Sequence, residues 1–127
     1  MVKGIGVDMV EVNTVREMME RSDSFVRRTF TERERGLAEH AVSGEEFFAG
    51  RFAVKEAVFK ALAHLTEKKT FDFRIVETLK EEDGSPFVNT EGELAGIMAE
   101  AGVRCLHVSI STEKEYVIAF VVAEDKE

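Results

Sequence analysis

The residues best suited to chemistry are charged side chains within an apolar segment, residues 47–65. On a helical wheel at about 100° per residue, the large apolar side chains form one broad face. These are Phe47, Phe48, Val58, Phe59, Leu62 and Leu65. Arg51 and Lys55 point into the middle of that face. Glu56 and Lys60 lie at its edge, one turn apart. Because unpaired buried charges are costly, the cluster indicates a site for an anionic ligand, with Glu56 as a candidate metal ligand.

A simpler explanation of the same charges remains open. Arg51 and Lys55 could extend their charged ends to water while their stems cover apolar surface. Glu56 and Lys60 would then form an ordinary i,i+4 ion pair, worth about 0.3–0.5 kcal/mol. The wheel alone does not separate this explanation from a ligand site.

Asp8 is the second acid of interest. It follows Gly4-Ile5-Gly6-Val7, in which two glycines let another backbone or a ligand come close. A dinucleotide-binding fingerprint would need a third glycine and an immediate helix, and the sequence has neither here. Taken alone, Asp8 reads as a surface acid at the end of a strand.

Four capping-box patterns, each a Ser or Thr followed three residues later by Glu, predict four helix starts. The pairs are Thr14–Glu17, Thr31–Glu34, Ser43–Glu46 and Thr90–Glu93. The helices are expected at about 15–21, from 31 toward 41, from 43 to about 65, and from 90 onward. Gly102 is expected to end the last helix in a left-handed conformation.

Strands are predicted at residues 2–10, 71–79, 86–89, 106–111 and 116–122. Asp83-Gly84 predicts a hairpin between the second and third strands, and residues 113–115 a turn between the last two. The 127 residues suit one domain, residues 1–127. We therefore expect an α+β fold, with an antiparallel sheet packed against helices on one side.

Composition narrows the classes of partner. The net charge of −8 argues against binding a nucleic acid over a broad surface. No apolar stretch approaches the roughly 20 residues of a membrane span, and the first residues show no signal-peptide pattern. The single cysteine, Cys105, fits a reducing cytoplasm. We expect a cytoplasmic protein with neither nucleic-acid nor membrane partners.

Four segments, in order, resemble motifs of the holo-[acyl-carrier-protein] synthase family. Residues 4–11, Gly-Ile-Gly-Val-Asp-Met-Val-Glu, look like its opening motif. Residues 51–61 contain its second motif, Phe-x-x-Lys-Glu-Ala-x-x-Lys-Ala. Residues 84–88 are similar to its Gly-Lys-Pro hairpin, and residues 107–116 to its closing strand. The resemblance covers nearly the whole chain.

The resemblance implies a fold, a reaction and an assembly. Members have the 4′-phosphopantetheinyl transferase fold and form homotrimers, with coenzyme A in clefts between neighbouring subunits. They transfer 4′-phosphopantetheine from coenzyme A to a serine of apo-acyl-carrier protein and release adenosine 3′,5′-bisphosphate. The usual metal is Mg²⁺, and the sequence does not separate it from Mn²⁺.

The resemblance also implies roles for individual residues. Asp8 and Glu56 match the metal ligands, and Lys60 matches the catalytic lysine that stabilises phosphate charge. Arg51 is expected to hold a phosphate of coenzyme A, whereas Lys55 could equally serve packing or an interface. Further coenzyme contacts are implied at the hairpin and on the closing strand. They are Gly84, Ser85, Pro86 and Ser109.

Several positions depart from the family pattern. Thr112 stands where a histidine is usual, Ser85 replaces the hairpin lysine, and Ala63 replaces a glycine. Thr14 replaces an arginine that reads the acidic carrier, a role for which Arg16, Arg21, Arg27 and Arg28 are candidates. The departures leave a second hypothesis open, a homologue that binds coenzyme A or the carrier but transfers poorly. The general base and the preferred carrier stay undetermined.

Overall fold

A computed structural model describes residues 1–126 of the chain. The helices are α1 (Val12–Arg21), α2 (Phe25–Thr29), α3 (Glu32–Ala38), α4 (Gly44–Leu62) and α5 (Glu93–Ala101). The strands are β1 (Val2–Glu11), β2 (Glu77–Lys80), β3 (Pro86–Asn89), β4 (Cys105–Glu113) and β5 (Tyr116–Glu124). Two short 3₁₀ turns cover Ala63–Leu65 and Phe73–Ile75. The predicted α+β fold class is confirmed.

The strands form two antiparallel sheets. The larger sheet has the order β1-β5-β4, so the last strand along the chain lies in the middle. In its register, Asp8 is opposite Ala119, and Ser109 is opposite Phe120. The hairpin between β4 and β5 turns at Lys114, whose φ is 51°. Strands β2 and β3 pair separately, so the prediction of one sheet was wrong in this respect.

Strand β1 lies directly on α4 because two of its residues have no side chain. A Cβ on Gly4 would lie 2.1 Å from the carbonyl oxygen of Ala61, and one on Gly6 would lie 1.9 Å from that of Ala57. Both distances are far below a van der Waals contact, so only glycine permits this approach. The close backbone approach expected from the sequence is thus present, and it fixes where β1 meets the helix.

The capping-box predictions held for two helices and failed for two. The hydroxyls of Thr31 and Ser43 accept hydrogen bonds from the backbone N–H groups of Glu34 and Glu46. Helix α1 instead begins at Val12, directly after β1, so Thr14 lies inside it. Helix α5 begins after Gly92 with no side-chain cap, so Thr90 is not its cap. Gly102 ends α5 in the left-handed conformation, as predicted, with a φ of 74°.

Several predicted boundaries also needed correction. Helix α3 stops at Ala38 rather than near residue 41, and α4 stops at Leu62 before a 3₁₀ turn to Leu65. The strand predicted over residues 71–79 is only Glu77–Lys80. Before it, the carbonyl oxygens of Phe73 and Val76 accept hydrogen bonds from a buried lysine, Lys55. Those carbonyls are therefore committed to a side chain rather than to a strand partner.

The two faces of the larger sheet differ sharply. One face packs on α4 and α5 through small and branched apolar residues, including Ala57, Val58 and Ala119, which are fully buried. The opposite face exposes large apolar side chains. They are Ile5, Val7, Met9, Ile118 and Phe120, each at least 40% exposed. Within residues 1–126, no helix is both long and apolar enough to cross a membrane.

Candidate active site

Asp8, Glu56 and Lys60 lie at the place where β1 meets α4. Side chains alternate along a strand, so Asp8 faces the helix on the same side as Gly4 and Gly6. The ammonium of Lys60 donates to the carbonyl oxygen of Val7 at 3.1 Å and to Oδ1 of Asp8 at 3.2 Å. Glu56 lies one turn before Lys60 on α4. Two distant segments of the sequence thus supply one cluster of charges.

The pKa of Glu56 shows that its charge and that of Asp8 oppose each other. Burial raises the pKa of the Glu56 carboxyl, the negative charge of Asp8 raises it further, and Lys60 only partly offsets both. A divalent cation between the two carboxylates would relieve this repulsion. Within residues 1–126, no group of three or more acidic, histidine or cysteine side chains could hold a metal. Two carboxylates that leave positions for phosphate oxygens and water fit the way Mg²⁺ is usually bound.

Arg51 is buried with hydrogen-bonding capacity to spare. Its side chain packs over the ring of Phe47 at 4.1 Å, a cation–π geometry. Within residues 1–126, its buried Nε and Nη2 atoms have no hydrogen-bond partner. Burial lowers the pKa of the guanidinium, and the charge of Glu34 partly counters this. Unused buried donors on a cation are costly, so the side chain suits an anionic partner.

Arg51 opens onto a small cavity of about 210 Å³ between α4 and β4. Ser43, Ile110 and Thr112 also line it. The position at which the sequence lacks the family's usual histidine is therefore beside Arg51. The polar side chains that line this cavity are those of Ser43, Glu46, Arg51 and Thr112, so a guanidinium, two hydroxyls and one carboxylate face a ligand there.

The sequence analysis grouped Lys55 with the charges of an anion-binding site, and the structure places it elsewhere. Its ammonium forms an ion pair with Glu34 at 2.8 Å, and both side chains are fully buried. The explanation that Lys55 and Arg51 reach water is also wrong, since Arg51 is only 6% exposed. Of the three cations predicted together, Lys60 and Arg51 remain available to a ligand. Lys55 is instead buried, with its ammonium bound by Glu34 and by the carbonyl oxygens of Phe73 and Val76.

The other predicted coenzyme contacts lie away from this cluster. Gly84 and Ser85 lie in the turn between β2 and β3, and Pro86 begins β3. Gly84 has a φ of 90°, and Asp83 accepts two hydrogen bonds from Ser85. Ser109 is on the exposed face of β4. Within residues 1–126, no hydrogen bond or ion pair joins these residues to the charged cluster. Ser109 and Asp8 lie on opposite faces of the larger sheet.

A second cavity, about 280 Å³, lies beside Glu56. Three phenylalanines contribute to its wall, which comes from α4 and from the segment that follows the 3₁₀ turn after it. The lining residues are Lys55, Glu56, Phe59, Lys69, Thr70, Phe71, Phe73 and Val76. Phe59 and Phe71 meet edge to face with ring centroids 4.9 Å apart. An apolar group attached to a ligand of the charged cluster would have room here.

Glu34 was missed as a residue of this region. The sequence identified it only as the third residue of a helix cap, which it is. Lys55 on an apolar face signalled that a buried acid must exist, since buried charges need partners. Any of the 25 acidic residues could have supplied it. Only the packing of α3 against α4 determines that Glu34 is the acid that pairs with Lys55.

Comparison with known proteins agrees with this architecture. Residues 4–121 match the model of the 4′-phosphopantetheinyl transferase superfamily. The chain belongs to this family, which the motifs had indicated.

Its relatives are named more narrowly. The chain is 36% identical over 126 residues to the holo-[acyl-carrier-protein] synthase of Halothermothrix orenii, covering 98% of this chain and 99% of that one. It superimposes on the crystal structure of the Neisseria meningitidis enzyme of that name with a TM-score of 0.88 and 29% identity, covering 98% and 99% of the two chains. The Bacillus anthracis enzyme, crystallised in complex with coenzyme A (3′,5′-ADP), gives a TM-score of 0.79 and 35% identity over 99% of each chain.

Proposed function

We propose that this protein transfers 4′-phosphopantetheine from coenzyme A to a serine of an apo-acyl-carrier protein and releases adenosine 3′,5′-bisphosphate. The observation that carries the proposal is the meeting of Asp8, Glu56 and Lys60 between β1 and α4, in a chain of this family. Attack on a pyrophosphate requires that negative charge be neutralised on the transferred and leaving phosphates. This cluster supplies a cation and two ligands for another.

Each residue of the cluster has a distinct part in this scheme. Asp8 and Glu56 would hold Mg²⁺, which supplies Lewis-acid stabilisation of phosphate charge when bound. Mn²⁺ accepts the same oxygen ligands. Lys60 is more than half exposed, and its ammonium is held by Asp8 and a carbonyl oxygen. It is therefore placed at the cluster's open side, where its charge can act on a phosphate of the substrate.

Coenzyme A binding would extend from this cluster to the other predicted contacts. The unpartnered nitrogens of Arg51 suit a phosphate group of the coenzyme. Gly84 and Ser85 lie in the turn before β3, and Ser109 lies on the exposed face of β4. We therefore infer that a cleft between neighbouring subunits brings them to one coenzyme molecule. This arrangement is the one that the family pattern implies.

We propose a homotrimer on the same basis. The exposed face of the β1-β5-β4 sheet carries five large apolar side chains, among them Ile5 and Phe120. A contiguous apolar surface of this kind is typical of a subunit interface. Light scattering of the purified chain should give about three times the 14.3 kDa of one subunit. A monomer at assay concentrations would contradict the shared cleft.

The compartment and the carrier complete the proposal. We place the protein in the cytoplasm, since its single cysteine, Cys105, cannot form an internal disulfide.

Arg27 and Arg28 on α2 are exposed. Because this chain is acidic overall, an acidic carrier has to dock on a local basic patch, and these arginines supply one.

Neutralising that patch should affect the carrier more than the coenzyme. In the double variant Arg27→Gln/Arg28→Gln, we expect the KM for carrier to rise about tenfold, since two rim charges that steer association are lost. The KM for coenzyme A should change by less than about twofold. Steady-state kinetics measure both. Lys3→Gln/Arg104→Gln, with the same charge change near the end of α5, is the control, and equal losses in both KM values would exclude a docking role.

Intact-mass spectrometry tests the proposed function directly. With Mg²⁺ and coenzyme A, the protein should add about 340 Da to an apo-carrier serine, the mass of the phosphopantetheine arm. The carrier with that serine changed to alanine is the control. No mass gain across several carriers, together with tight coenzyme binding, would identify a coenzyme-binding homologue instead. The changes at Thr112 and Ser85 make that the relevant competing outcome.

A further inference from the structure

We infer that Lys55 is a positioning residue, which holds residues 73–76 as the wall of the cavity beside Glu56, with Glu34 as its buried counter-ion. The inference rests on the proposed function, because it assigns Glu56 to the site whose wall is held. Lys55 and Glu56 are adjacent on α4, yet their side chains lie in different environments. One is enclosed by protein, and the other faces the charged cluster.

The ammonium of Lys55 has no donor left for a ligand. It donates to Oε1 of Glu34 at 2.8 Å, to the carbonyl oxygen of Phe73 at 2.9 Å and to that of Val76 at 2.5 Å. An ammonium has three N–H groups, and all three are used. The two carbonyls bracket the 3₁₀ turn at Phe73–Ile75. Lys55 therefore joins α4 to a segment that belongs to neither sheet.

Glu34 secures the other side of this pair. Its Oε1 accepts from the backbone N–H of Thr31 at 3.0 Å as well as from Lys55, and its Oε2 accepts from the backbone N–H of Thr78 at 3.0 Å. The carboxylate thus links the start of α3 and the strand β2 to α4. A fully satisfied buried network of this kind fixes the relative position of its members.

The held segment is the part of the chain that the cavity needs. Phe73 and Val76, whose carbonyls bind Lys55, line the cavity beside Glu56. Phe73 also packs on Phe52 of α4, with ring centroids 5.3 Å apart. A buried ion pair adds little net stability, because desolvation offsets most of its attraction. Its distinctive contribution here is geometry, since an apolar side chain at position 55 could fill space but could not hold two carbonyls.

Two variants separate positioning from stability. Lys55→Met keeps the length of the side chain but releases both carbonyls. We expect amide hydrogen exchange in residues 71–78 to accelerate by about tenfold or more, and kcat/KM for coenzyme A to fall by about tenfold, mainly through KM. Glu34→Gln leaves even an uncharged Lys55 amine with two N–H groups for the carbonyls of Phe73 and Val76. Because Glu34 also accepts from the backbone N–H of Thr78, exchange at Thr78 should accelerate and the Tm should fall. Exchange in residues 73–76 and the KM for coenzyme A should stay within about threefold of the parent protein.

Val58→Ala is the control for lost stability, because Val58 is a fully buried core residue of the same helix. At a temperature where all variants are folded, it should lower the Tm without a KM effect. If Lys55→Met does not fold, Glu34→Gln/Lys55→Met removes both charges and should show the same faster exchange. Parent-like exchange and kinetics in either folded methionine variant would overturn the inference. Because exchange needs no activity, its result stands apart from the metal role of Glu56, which Glu56→Gln tests separately.

Discussion

The variant Glu56→Gln is expected to lower kcat/KM for phosphopantetheine transfer by about 100-fold or more, which corresponds to about 3 kcal/mol of transition-state stabilisation. Glutamine keeps the size of the side chain but removes the negative charge and one strong oxygen ligand. Asp8 alone would then have to hold the cation. Intact-mass measurement of carrier modification over time, at several Mg²⁺ concentrations, gives the rate.

The stability of this variant should move in the opposite direction to its activity. Burial and Asp8 raise the pKa of Glu56, so ionising this carboxyl costs more in the folded chain than in the unfolded chain. The resulting loss of stability is absent in acid, grows as the pH rises above the ordinary pKa of a glutamate, and is complete above the raised pKa. At pH 7 without metal, Glu56→Gln should have a Tm equal to or above that of the parent, and the difference should vanish in acid.

Mg²⁺ provides a readout that does not depend on transfer. A cation that binds only the folded state raises the Tm, so saturating Mg²⁺ should raise the Tm of the parent chain and leave that of Glu56→Gln nearly unchanged. Glu39→Gln makes the same charge change at an exposed position outside the site and should respond like the parent. Full transfer activity in Glu56→Gln, or an undiminished Mg²⁺ response, would remove Glu56 from the metal site.

The sequence identified the charges that matter but could not sort them. Arg51 and Lys55 stood out because both lie on an apolar helix face, and both are buried. Helical periodicity says which face a residue occupies, not which other element covers it. Lys55 meets the acid Glu34 from α3, whereas the Nε and Nη2 atoms of Arg51 have no hydrogen-bond partner in the part of the chain that the structure describes. Those two outcomes depend on tertiary packing that a helical wheel does not contain.

Local sequence patterns predicted some helix starts and strands correctly and others wrongly. The patterns at Thr31 and Ser43 begin helices because each of these residues has extended backbone directly before its helix. At Thr14 the same pattern was overridden, because β1 passes directly into α1 at Val12. Residues 71–76 have the alternating composition of a strand, with Asp72 and Arg74 between apolar residues, yet the carbonyls of Phe73 and Val76 bind Lys55 instead of a strand. Long-range partners decided both cases.

The meeting of Asp8 and Glu56 was the part of the site most open to prediction. Gly4, Gly6 and Asp8 alternate along β1, so whatever packs against the two glycines also faces the acid. The sequence indicated the close approach but not its partner. The structure identifies that partner as α4, whose carbonyls at Ala57 and Ala61 occupy the space of the missing side chains. The glycines therefore determine how far Asp8 lies from the helix.

Gly6→Ala should accordingly cost both stability and metal binding. The added Cβ would lie 1.9 Å from the carbonyl oxygen of Ala57 and 3.0 Å from the backbone nitrogen of Ala61. Backbone atoms inside a helix cannot move aside, so β1 must shift outward and carry Asp8 with it. We expect unfolding free energy to fall by about 3 kcal/mol or more, and the Tm by roughly 10 °C. Urea denaturation and calorimetry, with and without Mg²⁺, measure these changes.

The same substitution at Gly96 should act with the opposite sign. Gly96 lies exposed within α5, and no atom of residues 1–126 outside its own helix turn comes within 4 Å of an added Cβ. Alanine there should stabilise the protein by about 0.5–1 kcal/mol and leave the Mg²⁺ response unchanged. If Gly6→Ala matched the parent in stability, β1 would not rest on α4. If it were destabilised but kept the full Mg²⁺ response, the position of Asp8 would not depend on this contact.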